Sequence, residues 1–164
     1  LQAYSKIEKE YSNVTLLICG NGPLKSSLEE LASTLSIRNF KIIESGLSPE
    51  QLIMLYSITD IFVLPTLEDI WGFVINEAMA CELPVVATRA SQAAQEMISP
   101  GRNGYIVREA NVEELYKALK VLVFNHELRE KIVEKSREMM KHKFDVQHMM
   151  NVFLTAIAYC IKCS

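Results

Sequence analysis

Five short, apolar, β-branched runs separated by stretches of helical periodicity constrain this chain more than any other feature. They are Val14 to Cys19, Phe40 to Ile43, Asp60 to Leu64, Pro84 to Ala87 and Tyr105 to Val107. Such runs lack the alternation of a sheet with one wet face, and they read as strands covered on both faces in a parallel sheet. Between them the apolar positions recur at helical spacing. Leu28, Leu31, Ala32 and Leu35 fall on one face, as do Leu115, Leu119, Leu122 and Val123. Strands alternating with helices predict an α/β chain with a doubly wound, Rossmann-like parallel sheet.

Turn and cap residues punctuate the same pattern. Gly20-Asn21-Gly22-Pro23 closes the first run, and Ser48 starts a helix as N-cap, with Pro49 at its first position and Gln51 completing a capping box. Pro65 to Trp71 reads as an irregular loop, Gly72 to Cys81 as a helix, and Ser91 to Ile98 as a short helix. The cluster Pro100 to Gly104 is a turn, and Asn111 with Glu114 makes a further cap. Two more helices are predicted at about His126 to Lys141 and Asp145 to Cys163, and the opening LQAYSKIEKEY reads as the middle of an amphipathic helix. The chain therefore reads as one domain over residues 1–164, cut from a longer protein.

Composition excludes several function classes. Seventeen basic against twenty acidic residues leave a net charge of −3 without any dense Lys/Arg run, so no nucleic-acid partner is expected. No apolar stretch reaches the roughly 18 to 20 residues of a membrane span. Cys19, Cys81, Cys160 and Cys163 do not suggest a disulfide framework, and the Cys160/Cys163 pair sits at helical spacing, as free thiols on a helix face would. His126, His142 and His148 have no ligand-spaced Cys, Asp or Glu, and no Asp-x-Asp pair occurs, so no metal and no cofactor are expected. Met139, Met140, Met149 and Met150 read as core filling.

The candidate chemistry lies around residues 68–77. The predicted helix Gly72 to Cys81 is apolar nearly all round, as a buried helix is, yet it carries Glu77. A buried carboxylate needs a partner, either a structural hydrogen bond or a pair of ligand hydroxyls. Glu68 and Asp69 precede a Gly-containing helix start whose free amides, at Gly72 to Val74, suit an anion such as a diphosphate. An anion flanked by two hydroxyl-reading carboxylates is the outline of a nucleotide sugar.

The run PTLEDIWGFVINEAMACELPVVAT, Pro65 to Thr88, resembles the signature of the group 1, or family 4, retaining glycosyltransferases of the GT-B fold. LLICGNGP resembles their strand and Gly-x-Gly-Pro turn. IIESGLSPEQLIMLYSITDIFVLPT resembles the segment that reaches the nucleotide base, and ISPGRNGYIV their last strand. The resemblance implies the C-terminal, donor-binding half of such an enzyme, which transfers a hexose from a UDP- or GDP-sugar to a glycan or lipid-linked acceptor with retention. It implies that Glu77 holds the ribose hydroxyls and that Asp69 faces the transferred sugar. Backbone amides from Trp71, Gly72, Phe73 and Val74 would hold the distal phosphate, and Ser45, Gly46 and Leu47 would line the base. The family motif is Glu-Gly-Phe-Gly where this chain has Asp69-Ile70-Trp71-Gly72 after Glu68, so either Glu68 or Asp69 is the first acid, and spacing favours Asp69. The acceptor-binding N-terminal domain, and the Arg and Lys that neutralise the diphosphate, lie outside this sequence. The isolated piece is then expected to be inactive. Its setting would be cytoplasmic, at the inner face of the membrane through that other domain.

Other readings compete. Gly20-x-Gly22 after a strand, with Glu44 about twenty residues on, invites a dinucleotide-binding oxidoreductase, but Lys25 stands where the third glycine belongs. A glycosidase could use Glu68, Asp69 and Glu77 as its acids. A nucleotide-binding module without turnover of its own is the non-enzymatic reading. Finally, Met149, Met150, Val152, Phe153, Ala156, Ile157, Cys160 and Ile161 cover more than one helical stripe, so an apolar patch around Phe153 and Ile157 is expected to be exposed or to pair with a second copy.

Overall fold

The computed structural model describes residues 1–44, 46–143, 150, 151 and 154. Along the chain run α1 (Gln2–Glu10), β1 (Leu16–Cys19), α2 (Lys25–Thr34), β2 (Phe40–Ile43), α3 (Pro49–Ser57), β3 (Phe62–Leu64), α4 (Phe73–Ala80), β4 (Val85–Thr88), α5 (Gln92–Met97), β5 (Gly104–Val107), α6 (Val112–Phe124) and α7 (His126–Lys143). The five predicted strands and the helices between them are present. The capping box at Ser48 forms in both directions, and the Asn111 side chain accepts the Glu114 amide at 2.9 Å.

All strand pairs are parallel. β4 is central to one sheet, with Val85 opposite Phe62 of β3 and opposite Gly104 of β5. Its four residues are all buried, and they alternate between faces as a strand must. Val85 and Ala87 face a core with Ile75, Ala78 and Met79 of α4 and Ala93, Ala94 and Met97 of α5. Val86 faces a second core with Ala118 and Leu122 of α6 and Ile132 of α7. Helices thus cover both faces, and each fully buried side chain such as Ile75 or Leu122 contributes about 1.5–3 kcal/mol.

The hydrogen-bonded ladders of this α/β fold divide in two: β1 pairs with β2, and β3, β4 and β5 make a second ladder. Among the described residues nothing pairs with the second edge of β1 or of β3, and the side chains of Leu16 to Ile18 and Phe62 to Leu64 are accordingly only half-buried. Helix α1 ties the two sheets together. The Tyr4 hydroxyl sits within 3.0 Å of the Val14 carbonyl and 2.8 Å of the Asn39 carbonyl, and Glu8 accepts the Asn39 amide at 2.7 Å, which fixes α1 to the β1–β2 end. On its other side α1 meets α6 through Lys6–Glu113 and Glu10–Lys120 ion pairs and the Tyr11–Phe124 ring contact.

Helix α7 crosses from one core to the other. Ile132 is buried in the second core, Ser136 donates to the Asn103 carbonyl, and Met139 and Met140 pack against the first core, as core filling. The His126 side chain is exposed. Met150 and Leu154 are half-exposed. The expected patch at Phe153 and Ile157, the Cys160/Cys163 pair, His148 and Met149 lie outside the described residues. Among the described residues no helix is long and apolar enough to cross a membrane.

Candidate functional site

The loop after β3 is built by short-range hydrogen bonds and pinned from below. Thr66 Oγ1 donates to the Glu68 carbonyl at 2.8 Å, while Thr88, buried at the end of β4, donates its hydroxyl to the Thr66 carbonyl at 2.6 Å. Asp69 Oδ1 accepts the Trp71 amide at 3.2 Å, closing an Asx turn. Asp69 and Ser91 form an isolated parallel bridge. The Trp71 carbonyl then takes two donors from the next connection, the Ser91 hydroxyl at 2.7 Å and the Ala93 amide at 2.9 Å. Ser91 is fully buried, so this anchor is shielded from water.

Gly72 sets the geometry that follows. It is the N-cap of α4 in the left-handed region, at φ +86° and ψ 60°. A Cβ there would lie 2.6 Å from Ser91 Oγ and 3.1 Å from Asp69 Oδ2. Only glycine combines that backbone with that close approach. The reversal at Gly72 presents the first amides of α4, Phe73 and Val74, which an α-helix leaves without intrahelical partners. Trp71 was expected to offer its amide to the same anion. That amide instead donates to Asp69 Oδ1.

Glu77 lies a turn further along α4, and here too an expectation is corrected. The helix is not buried all round: Ile75, Ala78 and Met79 face the core, but Phe73 is 73% exposed. Glu77 itself is exposed. Its partner is Tyr56 of α3, whose hydroxyl donates to Oε2 at 2.9 Å. Burial, together with the hydrogen bond to Glu77 and its negative charge, pushes the Tyr56 hydroxyl far above the usual tyrosine range. The phenol is therefore a permanent donor. Burial and the charge of Glu77 likewise raise the Cys81 thiol.

The predicted residues separate into groups. Asp69, Trp71 and Gly72 share one hydrogen-bonded turn, with Phe73, Val74 and Glu77 beside it on α4. Glu68 is exposed on the outer side of the loop. Trp71 packs rather than projecting freely: its indole N–H donates to Asn76 Oδ1 at 3.0 Å and its ring borders the first core. Gly46, at φ +104°, and the half-buried Leu47 belong to the β2–α3 connection and reach Glu77 through α3 and Tyr56. Ser45 lies outside the described residues. Tyr56, Thr88 and Ser91 were not singled out from sequence, since each acts across twenty or more positions. Lys25 and Glu44 pair at 2.7 Å, so the acid that a dinucleotide fold turns to ribose is engaged by the side chain replacing the third glycine.

Three comparisons place this arrangement among known proteins. The family model described as "Glycosyl transferases group 1" matches residues 1–139. An uncharacterized glycosyltransferase of Haemophilus influenzae is 31% identical over 142 residues, covering 85% of this chain and 39% of that protein. The GDP-mannose-dependent α-(1-6)-phosphatidylinositol monomannoside mannosyltransferase of Mycolicibacterium smegmatis is 28% identical over 127 residues, covering 73% of this chain and 33% of that protein. The crystal structure of the C-terminal domain of the group 1 glycosyl transferase LpcC from Francisella tularensis superposes with a TM-score of 0.79 at 26% identity, over 88% of this chain and 77% of that one. The chain thus spans well under half the length of the curated relatives it matches.

Proposed function

The chain belongs to the glycosyl transferases group 1 family, and from that premise we propose that it is the donor-binding part of a retaining hexosyltransferase. Its ligand is a nucleotide-activated hexose, a UDP- or GDP-sugar. The amides of Gly72, Phe73 and Val74 hold the distal phosphate, Glu77 accepts the ribose hydroxyls, Asp69 faces the sugar, and Gly46 and Leu47 border the base.

The observation that carries this reading is the turn at Gly72. Its left-handed backbone, packed against Ser91 and Asp69, starts α4 with amides that have no intrahelical partner, Asp69 preceding them in the turn and Glu77 following on the helix. Such amides are fixed dipoles, and they stabilise negative charge with little reorganisation when the sugar–phosphate bond breaks and charge develops on the leaving diphosphate. The carboxylates accept hydrogen bonds from hydroxyls, Glu77 orienting the ribose and Asp69 the sugar, and neither is called on as a nucleophile. The reading needs no metal or other cofactor. In the whole protein, a further domain binds the glycan or lipid-linked acceptor, and this chain alone does not turn over.

Saturation-transfer NMR of the chain with UDP-glucose, GDP-mannose and NAD tests the proposal. Transfer to ribose and hexose protons of at least one nucleotide sugar is expected. Transfer to NAD, with none to any nucleotide sugar, overturns it.

A further inference from the structure

Glu77 is a long, exposed side chain, and among the described residues a single hydrogen bond holds its carboxylate, the one from Tyr56. Everything about Tyr56 is fixed. It is 7% exposed, its ring meets Phe62 of β3 at 6.0 Å and 59°, and it sits on a helix whose start is closed by a capping box in both directions. A buried phenol therefore holds one oxygen of an exposed carboxylate. An ionised carboxylate accepts only, through two oxygens with several lone pairs between them. With Oε2 fixed by Tyr56, Oε1 remains open to one hydroxyl and the spare lone pairs of Oε2 to a neighbouring one. That is the acceptor pattern of a vicinal diol.

We infer that Tyr56 is a positioning residue for nucleotide recognition: its hydroxyl locks Glu77 in the orientation that reads both hydroxyls of a ribose, so that the chain distinguishes a ribonucleotide from its 2′-deoxy counterpart. This rests on the reading of Glu77 as the ribose acid and assigns a role that Glu77 cannot fill alone. A carboxylate held before the ligand arrives does not lose its rotamer freedom on binding, so the contribution appears in affinity and selectivity rather than in the rate of the chemical step. Helix α3 begins just after Gly46 and Leu47 and carries Tyr56 on its last turn, which makes one rigid element span from the base segment to the ribose acid.

The test is a double-substitution cycle read by calorimetric titration with UDP, GDP and their 2′-deoxy forms, scored on the tighter base. Tyr56→Phe is expected to weaken ribonucleotide binding about three- to tenfold, to leave the 2′-deoxy form unchanged, and so to lower the ribo-to-deoxy ratio by the same factor. In a Glu77→Gln background, Tyr56→Phe is expected to have no further effect on the ratio. A Tyr56→Phe chain that keeps the parent ratio, or that loses both nucleotides equally, overturns the inference. Thermal unfolding accompanies each variant. Should Tyr56→Phe fail to fold, 3,5-difluorotyrosine at position 56, with a more acidic phenol, replaces it; the ratio must then fall as that phenol ionises, followed by its ultraviolet absorbance, and a ratio unchanged across that ionisation overturns the inference. If the parent chain binds no nucleotide, or Glu77→Gln leaves the ratio intact, the ribose assignment itself fails. If Glu77→Gln abolishes the ratio and Tyr56→Phe does not, only the role of Tyr56 fails.

Discussion

A side-chain carbon on Gly72 would lie 2.6 Å from the hydroxyl of Ser91, well inside any real contact. The hydroxyl cannot retreat without giving up its bond to the Trp71 carbonyl. Gly72→Ala is therefore expected to lower stability by about 1–3 kcal/mol, from left-handed strain plus the steric push, or several degrees in midpoint. Thermal unfolding measures it. In a Ser91→Ala background the additional cost of Gly72→Ala should shrink, because the two share one volume. Nucleotide binding should fall with it, since the cradle opens from this turn.

Glu77→Gln keeps the shape of the side chain and removes its charge. Hydrogen bonds to a charged group contribute about 1.5–3 kcal/mol, so nucleotide binding is expected to weaken roughly ten- to hundredfold. Titration with UDP and GDP reads the loss, and unchanged affinity for both would remove Glu77 from the site.

Asp69 and Glu68 are adjacent in sequence but not equivalent in space. Asp69 is half-buried in the turn beside Gly72, whereas Glu68 is exposed on its outside. In the full-length enzyme, Asp69→Asn, which retains the oxygen that accepts the Trp71 amide, should reduce kcat far more than Glu68→Gln. The opposite ranking would transfer the sugar-facing role to Glu68.

Alkaline pH gives a prediction about stability. The Tyr4 hydroxyl is pushed up to about 12, first by burial and then by the charge of Glu8, and Tyr56 is raised further, by burial and by Glu77. A tyrosine whose pKa rises on folding adds stability that is fully present below about 10 and is lost as pH climbs from there towards the folded value, because the unfolded chain releases its proton first. Ultraviolet titration should show Tyr4 and Tyr56 ionising only above the usual tyrosine range, and unfolding midpoints should decline above pH 10. Normal titration of both would contradict their burial.

Metal independence is the last expectation. If helix-start amides neutralise the leaving diphosphate, EDTA should leave the activity of the full-length enzyme intact. Strict dependence on Mn²⁺ or Mg²⁺ would show that charge is neutralised differently.

Much of this was legible because it is local. The five strands, the Ser48 box and the Asn111 cap each depend on residues within a few positions of one another. The helix start at Gly72 was legible for the same reason, whereas its packing against Ser91 was not. One error came from composition standing in for geometry: the apolar sequence of α4 hid the exposure of Phe73 and Glu77. The even spacing of strands left open which edges pair. Tyr56 gave no signal, since an aromatic residue on a helix reads as core until the residue at the end of its hydroxyl, 21 positions away, is known.

The split between the two sheets has a practical side. Leu16 and Gly20 donate their amides to the β2 side, and alternate residues of a parallel ladder turn to opposite neighbours, so Leu17 and Cys19 direct their peptide groups the other way. On that side the peptide groups of β1 have no strand partner among the described residues, and the exposed Cys19 thiol lies at the end of the same strand. An unpaired edge beside a free thiol is a site where a second chain can add a strand or a disulfide, so purified material is expected to keep best dilute and reduced.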